Sequence, residues 1–322
     1  MTVQEEAAVL DRRVRSVRFE SQHLRSWIDE KSLPTPNPPK KPGRQKKAAQ
    51  PKYTHRLFVQ RQMPDGRTLR SLQDYIDDAL RDAIREICIS EMDIVPFTQD
   101  PLPLGELRGY PRKLPEPTLL GYLGEIMAGA FAEALGAHDN VGWWVPAYFF
   151  RYHDDAFHYL RQNPDATTDA RSIWGRRGDD VVALRLGEAG EVQAVLIAEA
   201  KCLSESNTGK IKEAHEQLSR KGMPVGLDDL FRILRHYPTD PDALKAKKAL
   251  QELLKLEDAS KVPRYDLLMY MTGKGPVRTE SWIDRGTVSA DYTGGRSLEV
   301  VEFHAEHLPA LIEHLLRRNG AS

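Results

Sequence analysis

The sequence predicts an α/β fold, and three observations carry that prediction. Residues 118–136 form a helix-like stretch without β-branched crowding. Residues 180–187 and 192–202 are typical of two strands joined by a turn, and the second of these is very apolar. Residues 208–220 return to a helical pattern. From residue 117 onward the predicted order is helix, strand, strand, strand, helix, strand, with extra segments around it.

The other predicted elements complete this order. A helix over residues 69–89 precedes the core. A strand over residues 141–152, interrupted or edged by Pro146, precedes the two strands of the hairpin. The remaining segments are two helices, two strands and a closing helix, in chain order at 227–237, 242–256, 264–272, 297–304 and 308–318.

Composition restricts the class of protein. The chain has 322 residues, of which 40% are hydrophobic and 29% charged, typical of a globular protein that needs no disulfides. Its two cysteines cannot form a disulfide framework or a zinc site by themselves. The N-terminal residues do not have the pattern of a secretory signal, and no apolar run approaches the length that spans a membrane. We therefore predict a cytoplasmic protein without membrane association. The net charge of −1 argues mildly against a dedicated nucleic-acid coat protein.

The first 116 residues divide into three predicted parts. Residues 1–32 form an N-terminal helical segment, and residues 53–116 form a second, mainly helical region. Between them, residues 33–52 contain six prolines, six Lys/Arg and no acid, a composition that blocks helix and sheet and predicts a basic linker. This linker is either a solvated spacer or a non-specific contact for nucleic-acid phosphates.

Ionisable residues cluster at one end of the predicted hairpin. Glu199 and Lys201 end the apolar strand, and because side chains alternate along a strand they point to the same side. Asp179 and Asp180 open the preceding strand, so the hairpin places them beside the Glu-Ala-Lys sequence. We favour Asp180 as the functional aspartate because it directly precedes the alternating strand 181–186, and Asp179 stays open as the alternative.

This set of side chains fits metal-assisted cleavage of phosphodiesters. Two carboxylates can hold Mg²⁺ or Mn²⁺, and an ammonium can orient the attacking water and stabilise charge. Glu125 shares a helical stripe with Gly121 and two alanines, so we expect this helix to pack closely on the sheet and to direct a third carboxylate inward. The alternatives are a structural ion pair for Glu199 with Lys201 and a solvated position for Glu125.

The sequence Gly-Asp-Asp at 178–180, followed after 18 residues by Glu-Ala-Lys at 199–201, resembles the PD-(D/E)XK nuclease superfamily, also called restriction-endonuclease-like. The resemblance implies a domain over residues 117–322, with a mixed central sheet flanked by helices in α-β-β-β-α-β order. It also implies that Gln217, 16 residues past Lys201, lies next to the site. The name-giving proline is absent from this motif, which keeps the choice of aspartate open.

The resemblance implies a metal-dependent nuclease that acts on DNA rather than RNA. The implied catalytic residues are Asp180, Glu199, Lys201, Glu125 and Gln217, and the implied metal ligands are Asp180, Glu199, Glu125 and Asp179. A weaker resemblance, through Gly124-Glu125 and the aromatic stretch 147–152, is to the nuclease subunit of Hachiman-type antiphage systems. It implies an effector of bacterial defence with a helicase or ATPase partner.

Three further interpretations of the same residues stay open, one of which is a carboxylate metalloenzyme that acts on a small phosphoester. A freestanding Mrr-like restriction nuclease is the rival within the nuclease class. The alternative class is a non-catalytic DNA-binding or assembly module on a nuclease-like fold, for which the large regions outside the core would provide partner surfaces. A homo-oligomer is compatible with each of these interpretations.

Overall fold

A computed structural model of the chain describes residues 17–31, 52–94, 110–148, 150, 180–220, 226–235, 237–255, 262–277, 280–284 and 287–317. Its helices and strands, in chain order, are α1 (Ser21–Arg25), β1 (Ile28–Lys31), β2 (Tyr53–Gln60), α2 (Gly66–Ile94), α3 (Glu116–Leu135), β3 (Val181–Leu186), β4 (Val192–Leu203), α4 (Thr208–Ser219), α5 (Gly226–Leu234), α6 (Pro241–Lys255), β5 (Arg264–Thr272), β6 (Leu298–His304) and α7 (Leu308–Leu315). Within these ranges, no helix combines the length and apolarity needed to cross a membrane.

The six strands form one mixed sheet in the order β1-β2-β6-β5-β4-β3. The four central strands run parallel to one another, whereas the edge strands β1 and β3 are each antiparallel to their neighbour. Helices α4, α5 and α6 connect β4 to β5, because two parallel strands need a long crossover connection. The predicted α/β class, with a mixed sheet flanked by helices, is therefore confirmed.

Helices cover both faces of the sheet, and the alternation of side chains along β4 assigns each residue to one face. Ala198 and Cys202 belong to the core that includes α3. Ile197 belongs to the core that includes α4, α5 and α6. Glu199 and Lys201 follow Ile197 by two and four residues, so their side chains point to the same face of the strand. They therefore lie on the α4 side of the sheet.

Most elements of the predicted core are confirmed. The two hairpin strands, the two later strands, the helix at 118–136 and the four helices after residue 207 are observed within three residues of their predicted bounds. The helix predicted at 69–89 is also present and extends further at both ends, as α2. These segments have strong local periodicity or a long apolar run. Such patterns can be recognised in the sequence without knowledge of tertiary contacts.

The strand predicted at residues 141–152 is wrong in its described part. The backbone there forms one isolated antiparallel bridge, in which Trp144 and Leu184 exchange N–H to carbonyl bonds of 2.9 and 2.8 Å. Pro146 has no N–H to continue a ladder, and Gly142 has a left-handed φ of 79°. Residues 149, 151 and 152 lie outside the described ranges.

The N-terminal extension contains two strands as well as helices in its described part, and these strands correct the prediction of purely helical segments there. Helix α1 has only five residues, and strand β1 follows it where a helix was expected. Strand β2 begins the region predicted to be helical, and it pairs parallel with β6, with Tyr53 opposite Leu298. That partner lies near the other end of the chain, so local periodicity could not indicate the pairing. Residues 1–16 and 33–51, including nearly all of the predicted linker, lie outside the described residues.

Helix α3 packs closely on the sheet, but through a different residue from the one expected. A Cβ at Gly121 would meet no atom within 4 Å, whereas a Cβ at Gly124 would lie 2.9 Å from Cys202 Cβ. The absence of a side chain at Gly124 is therefore what allows α3 to approach β4. Because α3 is apolar around most of its circumference, periodicity alone could not identify this contact face.

Candidate active site

The register of the hairpin places Asp180 beside Glu199. Val181 pairs with Ala198 in the antiparallel β3–β4 ladder, so the next position outward brings these two carboxylates together. Asp180 Oδ2 accepts a hydrogen bond from the backbone N–H of Ala200 at 2.7 Å, which holds its carboxylate against β4. Both acids are buried, with 7% and 2% of their surfaces exposed. Two carboxylates therefore share one sheltered edge of the sheet.

The Lys201 ammonium completes this group. Its Nζ donates to Glu199 Oε1 at 2.8 Å and to Gln217 Oε1 at 3.1 Å. Burial acts to lower the pKa of Lys201, but the charges of Glu199 and Asp180 outweigh that effect and raise the pKa above its usual value. The lysine is therefore a cation at neutral pH and serves as a donor rather than as a base.

Helix α4 carries Gln217 to the site, and its N-terminus is anchored on the sheet. The Asn207 side chain caps the helix by accepting from the N–H groups of Gly209 at 2.9 Å and Lys210 at 3.3 Å. The Asn207 backbone N–H donates to the Tyr270 hydroxyl at 2.9 Å, and Tyr270 lies opposite Lys201 in the β4–β5 register. The capped start of α4 thus fixes how far Gln217 projects over β4.

Glu125 is buried on α3, with 7% of its surface exposed, so the solvated position considered for it is wrong. It directly follows Gly124, which contacts β4 at Ala200 and Cys202. Those two residues face α3, whereas Glu199 and Lys201 face α4. Glu125 therefore lies on the helix that covers the face of the sheet opposite to Gln217.

The structure brings together four of the sequence-predicted residues and adds one. The four are Asp180, Glu199, Lys201 and Gln217, whereas Asp179 lies outside the described residues. The addition is Glu213, whose Oε1 accepts from Gln217 Nε2 at 3.3 Å. Its position one helical turn before Gln217 is a spacing from which it could have been found.

The donor chemistry of the site fits a hard divalent cation. Mg²⁺ is commonly bound by one or two carboxylates, with water and substrate phosphate supplying its other oxygen ligands. Asp180 and Glu199 provide such a pair on adjacent strands. Across the described ranges, no group of three or more His, Cys, Asp or Glu side chains is arranged to hold a metal ion. With Asp180 and Glu199 as its protein ligands, a cation here would take its other oxygen ligands from water or substrate.

A second buried polar cluster lies on the same face of the sheet, on β2 and β6. Glu302 is fully buried, with His304 Nε2 2.6 Å from its Oε1 and His55 Nε2 3.2 Å from its Oε2. Ser281 Oγ donates to the same carboxylate, as does the Trp282 backbone N–H at 2.8 Å. This cluster attaches the 280–284 segment to the sheet, so its contacts indicate a structural role.

Similarity to other proteins does not assign the site. The sequence matches no protein-family model, and it has no match among curated proteins. The arrangement of two buried carboxylates, an ammonium and an amide at one edge of the sheet is therefore the basis on which function is inferred.

Proposed function

We propose that this chain is a metal-dependent nuclease that hydrolyses phosphodiester bonds in DNA. The observation that carries the proposal is the joint placement of Asp180, Glu199 and Lys201, with Lys201 Nζ 2.8 Å from Glu199 Oε1. A buried acid pair beside a partly buried ammonium is costly to maintain, and hydrolysis of a phosphodiester uses each of these groups.

The roles follow from the chemistry of each side chain. Asp180 and Glu199 would hold Mg²⁺ or Mn²⁺, whereas Glu125 lies on the helix that covers the opposite face of the sheet and is not assigned to the ion. When bound, the cation would polarise the phosphoryl oxygen and favour ionisation of water. Lys201 has three N–H donors, of which Glu199 and Gln217 engage two, so the third can orient the attacking water or contact a phosphate oxygen.

The topology supports a restriction-endonuclease-like core for this site. Strand β3 is antiparallel to β4, β4 is parallel to β5 across the α4–α6 crossover, and α3 precedes them, which is the order expected from the sequence motif. The edge bridge at Trp144 takes the place of the first core strand. The sequence resemblance extends the proposal to an effector of bacterial defence that works with a helicase or ATPase partner.

A non-catalytic DNA-binding or assembly module is the second candidate. It is favoured by one observation: Lys201 Nζ donates to Glu199 Oε1 at 2.8 Å, a contact that compensates the carboxylate charge without a metal ion. In that case the Lys201–Glu199 contact would be a structural ion pair. The two candidates differ in whether the carboxylates bind a divalent cation.

The proposal is tested by incubating the full chain with supercoiled plasmid and with linear DNA, in Mg²⁺, in Mn²⁺ and in a chelator. We expect metal-dependent cleavage that falls by at least about a hundredfold in Glu199→Gln and in Lys201→Met. Lys212→Met, which removes an exposed ammonium from α4, is the matched control and should cleave like the wild type.

Calorimetric titration with Mn²⁺ separates the two candidates. The nuclease assignment predicts binding to the wild type that is weakened in Glu199→Gln. Full cleavage by Glu199→Gln would exclude the site assignment. Absence of both cleavage and Mn²⁺ binding in the wild type would favour the non-catalytic module.

A further inference from the structure

Glu213 lies next to the residues of the candidate site, one turn of α4 before Gln217. Its Oε1 accepts from Gln217 Nε2 at 3.3 Å and lies 4.0 Å from Lys201 Nζ. Its Oε2 accepts from Lys210 Nζ at 2.7 Å. Glu213 therefore ends a hydrogen-bonded chain that runs through Gln217 and Lys201 to the Glu199 carboxylate.

The chemistry of these groups determines which way the Gln217 amide must face. An ammonium can only donate hydrogen bonds, an ionised carboxylate can only accept them, and an amide does both. Between Lys201 and Glu213, the amide satisfies both neighbours only with Oε1 toward the ammonium and Nε2 toward the carboxylate. Those are the contacts observed, at 3.1 and 3.3 Å.

We propose that Glu213 is a positioning residue, which acts through Gln217 to hold the Lys201 ammonium in its working orientation. The catalytic part of this inference rests on the proposed nuclease function. The two acceptors of Lys201 are Glu199 and Gln217, and together they set the direction of its third N–H. If the amide were free to reverse, it would present its own N–H groups to the ammonium, and Lys201 would lose one of these two constraints.

A double-mutant cycle on DNA cleavage tests this inference. Glu213→Ala should lower kcat by about tenfold with little change in KM, as removal of an orienting partner typically does. Glu213→Gln should recover most of the rate, because its amide oxygen can still accept from Gln217 Nε2. In a Gln217→Leu background, Glu213→Ala should have no additional effect, since the two residues act in series.

The matched control is Glu216→Ala on the same helix. Glu216 pairs with Lys212 and Arg220 on α4. The variant therefore removes the same charge as Glu213→Ala and leaves the hydrogen bonds of Gln217 and Lys201 in place. Its kcat should equal that of the wild type. Equal kcat values for Glu213→Ala and Glu216→Ala, or full additivity with Gln217→Leu, would overturn the inference.

A spectroscopic readout keeps this test independent of nuclease activity. The side-chain amide protons of Gln217, assigned by their loss in Gln217→Leu, should exchange slowly with solvent in the wild type and in Glu213→Gln. They should exchange several-fold faster in Glu213→Ala and stay unchanged in Glu216→Ala. If the wild type cleaves no DNA, the nuclease proposal fails, and these exchange rates still decide whether Glu213 orients Gln217. Unchanged exchange in Glu213→Ala contradicts the positioning role.

Discussion

Replacement of Glu302 by alanine is expected to lower the free energy of unfolding at pH 7 by roughly 3–5 kcal/mol, because several buried polar groups would lose the carboxylate that they share. Glu302 is fully buried and holds His304, His55 and Ser281. His55 Nε2 lies 3.2 Å from Glu302 Oε2, and among the described residues no other polar group compensates for its burial. Without the carboxylate, the buried His55 and His304 rings lose the polar partner that they share.

The effect should depend on pH in a direction set by the pKa of Glu302. Burial acts to raise this pKa, but hydrogen bonds from His304, His55, Ser281 and the Trp282 backbone N–H lower it to about 2, from 4.5. A carboxylate with a lowered pKa stabilises the fold above its unfolded-state pKa, and that contribution is lost as pH falls through the folded-state value. The stability that Glu302 provides should therefore be complete above pH 4.5 and decline toward pH 2.

Urea denaturation of the wild type and of Glu302→Ala at pH 7, 5 and 3 measures both predictions. The difference between the two proteins should be largest at pH 7 and 5 and smaller at pH 3. Glu306→Ala is the control, because Glu306 is exposed just beyond β6 and its removal should change stability by less than about 0.5 kcal/mol. A difference between wild type and Glu302→Ala that is the same at all three pH values would contradict the assignment of charge to Glu302.

Two glycine-to-alanine changes in α3 are expected to act in opposite directions. A Cβ at Gly129 would overlap the Tyr148 hydroxyl and lie 2.8 Å from its Cζ, whereas a Cβ at Gly121 would meet no atom within 4 Å. The Tyr148 hydroxyl donates to the Ile126 carbonyl at 3.1 Å and lies 2.9 Å from the Tyr75 hydroxyl. Moving Tyr148 would break these buried contacts.

We expect Gly129→Ala to destabilise the protein by roughly 2–4 kcal/mol, as overpacking and lost hydrogen bonds exceed the gain in helix propensity. Gly121→Ala should stabilise it by about 0.5–1 kcal/mol, because only the propensity gain applies. Thermal and urea unfolding of both variants would measure these changes. In a Tyr148→Phe background the cost of Gly129→Ala should shrink, because the closest atom has been removed. Stabilisation by Gly129→Ala would contradict the observed packing of α3.

Most residues of the candidate site could be predicted from the sequence, because they lie close together along the chain. Asp180, Glu199 and Lys201 belong to one hairpin, and a hairpin of known turn has its register set by neighbouring residues. Gln217 follows on the next helix, whose start is capped by Asn207. The spacing of Glu213 to Gln217 indicates that the two side chains are neighbours, but only the contact with Lys201 shows how the Gln217 amide is oriented between them.

The sequence alone determined the α/β class, most of the elements from α3 to the C-terminus and the hairpin that joins the two carboxylates and the lysine. Each of these depends on local periodicity, turns or strand alternation, which neighbouring residues specify. The tertiary structure alone decided that β1 and β2 extend the sheet, that residues 141–148 pair only at Trp144, and that Gly124 rather than Gly121 contacts β4. These features arise from partners distant in sequence, and their free energy comes from packing and pairing that no local pattern encodes.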